Sequence, residues 1–213
     1  MTENRLWRRT SENLRDGLVV SLTSFAWTIA AGTGAVTIGV IGNSLVLVAF
    51  GAIGLLDAIG SGSLIVHFRP SRRHEAVSER HERLALIIVT SGMAAVGIAT
   101  LADSGYRLAT RATSAPPPAG IALAGISVFV LVILAVRKRE IARRIPSHAL
   151  HADGWLSLMG AVLALVALIG TALDTALGWR WTDPIAAIAV ACGAIGLSIA
   201  LARGPDIGSV SGR

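Results

Sequence analysis

Asp57, His74, His151, Asp153 and Ser157 carry the carboxylate, imidazole and hydroxyl groups from which a protein can build a cation site. Imidazole nitrogen and carboxylate oxygen are the ligands that a tetrahedral, borderline metal such as zinc prefers. His148, His151 and Asp153 fall in the first turns of an apolar stretch, and Ser157 lies at i+4 from Asp153 on the same helix face. Asp57 is the one ionisable group well inside another apolar stretch, where a carboxylate is a functional-site candidate by default. His74 and His81 belong to the charged segment FRPSRRHEAVSERHER and are seven apart, so a helix would put both on one face. Asp174, followed by Trp179 and Trp181, is expected at a membrane interface, and Asp183 with Pro184 is expected to cap a helix.

The elements that must position these groups are hydrocarbon-spanning helices. With 53% hydrophobic and 15% charged residues and a mean hydropathy of +0.66, the chain has too few polar side chains to cover a soluble globule of 213 residues. Six apolar stretches, 17–40, 44–66, 84–102, 120–136, 149–177 and 184–202, each reach or approach the roughly 20 residues that cross a bilayer. The sequence therefore predicts an all-α integral membrane protein of six transmembrane helices. Residues 1–16 form a basic N-terminal segment, 17–202 the membrane domain and 203–213 a short tail, with no soluble C-terminal domain expected.

Of the 19 Lys and Arg residues, 16 fall before the first stretch, between the second and third, between the fourth and fifth, or after the sixth. This bias predicts that both termini are cytoplasmic. The basic segment is followed by an apolar run too long for a signal peptide and lacking its cleavage pattern, so the first helix is expected to be retained. The net charge of +6 is explained by these clusters, and no nucleic-acid partner is expected. Cys192 is the only cysteine, which excludes an internal disulfide. No nucleophile–base pair or phosphate-cradling glycine loop points to an enzyme.

Four segments taken together resemble the cation diffusion facilitator family of divalent-metal transporters. NSLVLVAFGAIGLLDAIGS is similar to the family's second-helix stretch, and RPSRRHEAVSERHERLAL to the loop that follows it. SHALHADGWLSLMGAV and LGWRWTDPIAAIAVA resemble its fifth helix and the start of its sixth. The resemblance runs from about residue 42 to 202. It implies export of a divalent cation (zinc, manganese, iron or cobalt) from the cytoplasm across the inner membrane, coupled to protons, with no resident cofactor and with a possible homodimer. It also implies a tetrahedral site made from two positions of the second helix and two of the fifth.

Only Asp57 carries a ligand at those four positions. Ile53, Leu156 and Gly160 stand at the others, and Ser78 stands where the loop often carries a second histidine beside His74. Either the site is rebuilt from Asp153, Ser157 and His151 or His148 facing Asp57, or the chain is a transport-inactive member with a structural or regulatory role. Asp57 lies deeper in its helix than Asp153 does, so a shared site needs tilt or an unwound turn. The Gly and Ala content of the first two helices suits close packing in lipid and permits a dimer through membrane helices.

Overall fold

Inside hydrocarbon every backbone N–H and C=O needs an internal partner, so an apolar chain that crosses must be helical or close into a barrel. This chain takes the first route. The structure, a computed structural model, describes residues 3–67, 75–112, 114–144, 148–179 and 181–203. It consists of six helices, α1 (Glu3–Ile41), α2 (Leu45–His67), α3 (Glu75–Thr110), α4 (Pro118–Arg144), α5 (His148–Leu177) and α6 (Thr182–Arg203), with no strand among the described residues.

Five stretches are long and apolar enough to cross a membrane: Gly17–Ile41, Ile87–Thr110, Pro118–Arg143, Asp153–Leu177 and Thr182–Arg203. The second helix has 23 residues, about 35 Å at 1.5 Å per residue, and its apolar part is the shorter Leu45–Ile59. Two helices run well beyond their apolar parts. The basic N-terminal segment is the first turns of α1, and the charged segment after α2 becomes α3 from Glu75 onward.

The distribution of side chains is that of a protein dissolved in lipid. Phe129, Ile133, Val136, Ile87 and Ile98 point outward, whereas Ser24, Thr28, Ser61, Ser127, Ser157 and Ser198 are buried. In water the outward face would be one large apolar patch. An all-helical membrane protein is the fold that makes this surface stable.

Neighbours in the bundle follow the chain only in part. α1 packs on α2 and α4, α5 packs on α4 and α2, and these four surround a common centre. α3 and α6 pack on each other and each also touches α2. The α1/α2 contact is set by glycine, because a Cβ on Gly51 would lie 2.6 Å from the Gly32 carbonyl oxygen and 2.7 Å from the Val36 nitrogen. Without side chains there, the two backbones approach closely enough to gain dispersion contacts along their length.

At the end of the bundle where α1 turns into α2, Asn43 takes a left-handed φ of 49°, and the Ser44 N–H bonds back to the Gly39 carbonyl at 2.8 Å. Arg107 of α3 donates to the Asn43 carbonyl at 2.7 Å and pairs with Asp103 at 3.0 Å. Asp183 is buried here, inside the first turn of α6 rather than ahead of it, and its carboxylate serves another helix. Its carboxylate accepts from the Ser44 hydroxyl at 2.5 Å and from the Leu45 N–H at 2.8 Å, so α6 caps the N-terminus of α2. Asp174 accepts from Ser114, and Trp179 stacks on Trp181 with ring centres 5.1 Å apart. α5 stops at Gly178, whose φ of +63° is the left-handed ending that glycine allows.

Candidate functional site

Asp57 is half-buried and lines a cavity at the centre of the bundle. Ile53, Leu156 and Gly160 line the same cavity, together with Trp27 of α1, Ser127 of α4 and Met93 of α3. The i, i+4 spacing puts Ile53 with Asp57 on one face of α2, and Leu156 with Gly160 on one face of α5. The four positions that the resemblance singles out do converge, although only one of them carries a ligand. Gly160 leaves real space, since a Cβ there would meet Leu131 at an ordinary 3.5 Å.

The indole N–H of Trp27 has no partner among the described residues, but it is a donor and cannot ligate a cation. The other polar side chains on its wall, Thr28 and Ser127, each donate a hydroxyl to a backbone carbonyl of their own helix at 2.8 Å, and the rest of the wall is hydrocarbon. A dehydrated divalent ion placed in it would meet one carboxylate, far short of the four donors that zinc takes. Among the described residues no group of three or more His, Cys, Asp or Glu side chains is placed to hold a metal.

A second polar group lies one helical turn away, where α2 ends and α5 begins. Lys138 of α4 is fully buried, with a relative exposure of 0%, and its ammonium is 2.7 Å from Oδ2 of Asp153, itself only 2% exposed. The same ammonium donates to Ser24 Oγ of α1 at 2.7 Å and to Ser157 Oγ of α5 at 2.9 Å. All three N–H donors therefore have an acceptor. The other carboxylate oxygen of Asp153 accepts from Ser61 Oγ of α2 at 3.1 Å, and Ser157 donates in turn to the Asp153 carbonyl at 3.1 Å. Four helices meet in this one network.

The local sequence makes that meeting possible. A Cβ on Gly154 would lie 2.8 Å from Cγ of Arg139 and 3.4 Å from Cβ of Lys138, so the missing side chain lets α4 close onto α5 beside Asp153. Arg139 turns away and stacks over Trp155 at 4.1 Å, leaving Lys138 alone on the inward face. Ser61 follows Asp57 by one turn, about 6 Å along α2. Asp57 accordingly lies about one turn along α2 from the level of Asp153, which Ser61 reaches.

Of the residues expected to bind a cation, Asp57, Asp153 and Ser157 thus lie in two adjoining layers of the bundle centre. Asp153 and Ser157 face an ammonium. His74 lies outside the described residues, and His151 and His148 fall in the first turn of α5 with side chains outside the described part. Asp57 and Asp153 are not level, as helix geometry requires: Ser61, one turn beyond Asp57, is the α2 residue that bonds to Asp153.

Lys138 is the site residue that its local sequence conceals. Standing in the run RKRE, it reads as one of the charges that set topology, whereas its side chain is fully buried inside the bundle. A signal was present: among 19 basic residues it is the only lysine.

The charges at the centre, the apolar exterior and the helix order now stand together, and comparison with known proteins agrees with them. No curated protein matches the chain. The model of the family described as the cation efflux transmembrane domain, however, matches residues 21–203. That match takes in the second half of α1 and all of α2 to α6, and so the chain belongs to the cation efflux family of membrane transporters, the cation diffusion facilitators.

Proposed function

We propose that this protein exports a divalent cation from the cytoplasm across the inner membrane in exchange for protons, with Asp57 as the carboxylate that holds cation and proton in turn. The observation that carries the reading is the position of Asp57, on the wall of the central cavity and one turn from a second carboxylate, Asp153. A carboxylate must lose its proton to bind a cation, so exchange at one group couples the two fluxes. His74 and His151 would act as ligands on the approach from the cytoplasm, and Ser157 as a weak oxygen donor beside Asp153. Zinc, manganese, iron and cobalt are the candidates. The Arg-rich end of the bundle would face the cytoplasm with both termini, and two copies would pair through their membrane helices.

The test is flux into sealed vesicles under a pH gradient, followed for manganese and for zinc. The unmodified protein is expected to move at least one of them, and Asp57→Asn is expected to move neither. Equal flux from both proteins would end the assignment of Asp57. A second reading, a transport-inactive partner protein, is favoured by the apolar Ile53 and Leu156 and by the ammonium already seated on Asp153. It predicts no flux from either protein.

A further inference from the structure

A fully buried ammonium is expensive to keep in a membrane domain, and lysine or arginine inside a span marks an ion pathway or pairs with an acid. Here it pairs with Asp153, and the pair closes the bundle one turn from Asp57 on the Arg-rich side. Three further facts bear on its role. First, 18 of the 19 basic residues are arginine, so the choice of lysine at this one position is not a habit of the chain. An arginine would bring five donors in a rigid planar fork, whereas the ammonium is a compact point charge whose three donors match Asp153, Ser24 and Ser157 one to one. Second, its oxygen partners come from α1 and α5, with Ser61 of α2 completing the shell of Asp153. That is how a small bound cation would be surrounded. Third, its neighbour Arg137 is exposed, so the long stem of Lys138 starts where the charged end of α4 begins.

Charge balance then decides what the site can accept. With Lys138 seated and both acids ionised, Asp57, Asp153 and Lys138 sum to one negative charge. Adding a divalent ion would leave a buried net charge of one positive. With Lys138 swung out toward the charged end of α4, two carboxylates face two positive charges and the centre is neutral.

We propose that Lys138 is a resident cation: it holds Asp153 in the place of the transported ion, bars the approach to Asp57, and leaves when a divalent cation displaces it. It is a specificity-determining residue, because an ion that cannot outcompete the tethered ammonium for Asp153 does not reach the cavity. This inference rests on the reading of Asp57 as the binding carboxylate.

The test measures binding, so it does not depend on transport. Manganese and zinc chloride are titrated calorimetrically into the purified full chain and into Lys138→Met. Removing the competing charge is expected to tighten binding of at least one metal by about tenfold or more. Adding Asp153→Asn to Lys138→Met should abolish the gain, and Lys138→Arg should show none. Binding by Lys138→Met that equals the unmodified chain for both metals overturns the proposal. Should Lys138→Met fail to fold, Asp153→Asn is compared with Lys138→Met/Asp153→Asn. These differ only in the ammonium, and the double variant is expected to bind about tenfold or more tightly because nothing then repels a cation from Asp57. Equal binding by the two overturns the proposal as well. Failure of the Asp57 reading has a separate signature, which is Asp57→Asn binding metal as the unmodified chain does.

Discussion

The two ends of the bundle treat buried acids in opposite ways. At the end where α1 turns into α2, Asp183 and Asp174 accept from neutral donors, a serine hydroxyl and a backbone N–H for the first and a serine hydroxyl for the second. At the other end Asp153 is matched by a full charge, and the match ties α1, α4 and α5 together, with α2 joined through Ser61. Neutral donors fix loops and helix ends, and no cation is needed to keep such an acid buried. An acid matched by an ammonium can exchange that partner for another positive charge. The cation exchange proposed above therefore belongs to the end with the ion pair, next to the cavity of Asp57.

Breaking the pair should give the largest change in stability. Asp153→Ala leaves a buried ammonium without its counter-charge, and about 3–5 kcal/mol of destabilisation is expected in denaturation of the micelle-bound protein. Lys138→Met/Asp153→Leu, which removes both charges, should recover most of that loss, since well-packed apolar replacements of an ion pair are often neutral. A double variant as unstable as Asp153→Ala would show that the hydroxyls, not the charges, hold the four helices.

Asp183→Ala at the opposite end should cost less, about 1–3 kcal/mol, because it strands the Ser44 hydroxyl and the Leu45 N–H without stranding a charge. Metal binding measured by calorimetry should be unchanged in this variant at a temperature where it is folded. A loss of binding would mean that the two ends are coupled. Gly51→Val should cost a similar amount, about 1–3 kcal/mol, as its side chain is driven against the Gly32 carbonyl. Smallest is Trp155→Leu, which removes the ring under Arg139 and should lower stability by about 0.5–1 kcal/mol while leaving Lys138 in place.

Much of this was legible in the sequence. Apolar runs separated by arginine clusters gave the helices, and the pairs 53/57 and 156/160 could be put on single faces by counting. What counting could not reach were contacts between distant segments. Asp183 before Pro184 has the local pattern of a cap for the helix it begins, but its partners, Ser44 and Leu45, lie far back along the chain at the start of α2. Among Arg137, Arg139 and Glu140, Lys138 has the local sequence of a loop charge. Helical rotation separates it from them, turning Arg137 outward and Lys138 inward. The rarity of lysine in this chain was the one clue that a local pattern could not supply.

The bundle brings positions 53, 57, 156 and 160 to one cavity, and the proposed function puts its chemistry at Asp57 beside the Lys138–Asp153 pair. The most direct measurement is X-ray absorption at the zinc edge of the purified Ile53→Asp/Leu156→His/Gly160→Asp variant. If the geometry is kept, one zinc per chain binds with oxygen and nitrogen ligands at about 2.0–2.2 Å in tetrahedral array. A variant that folds but binds no zinc, or binds it in six-coordinate aqueous form, would contradict the claim that these four positions meet.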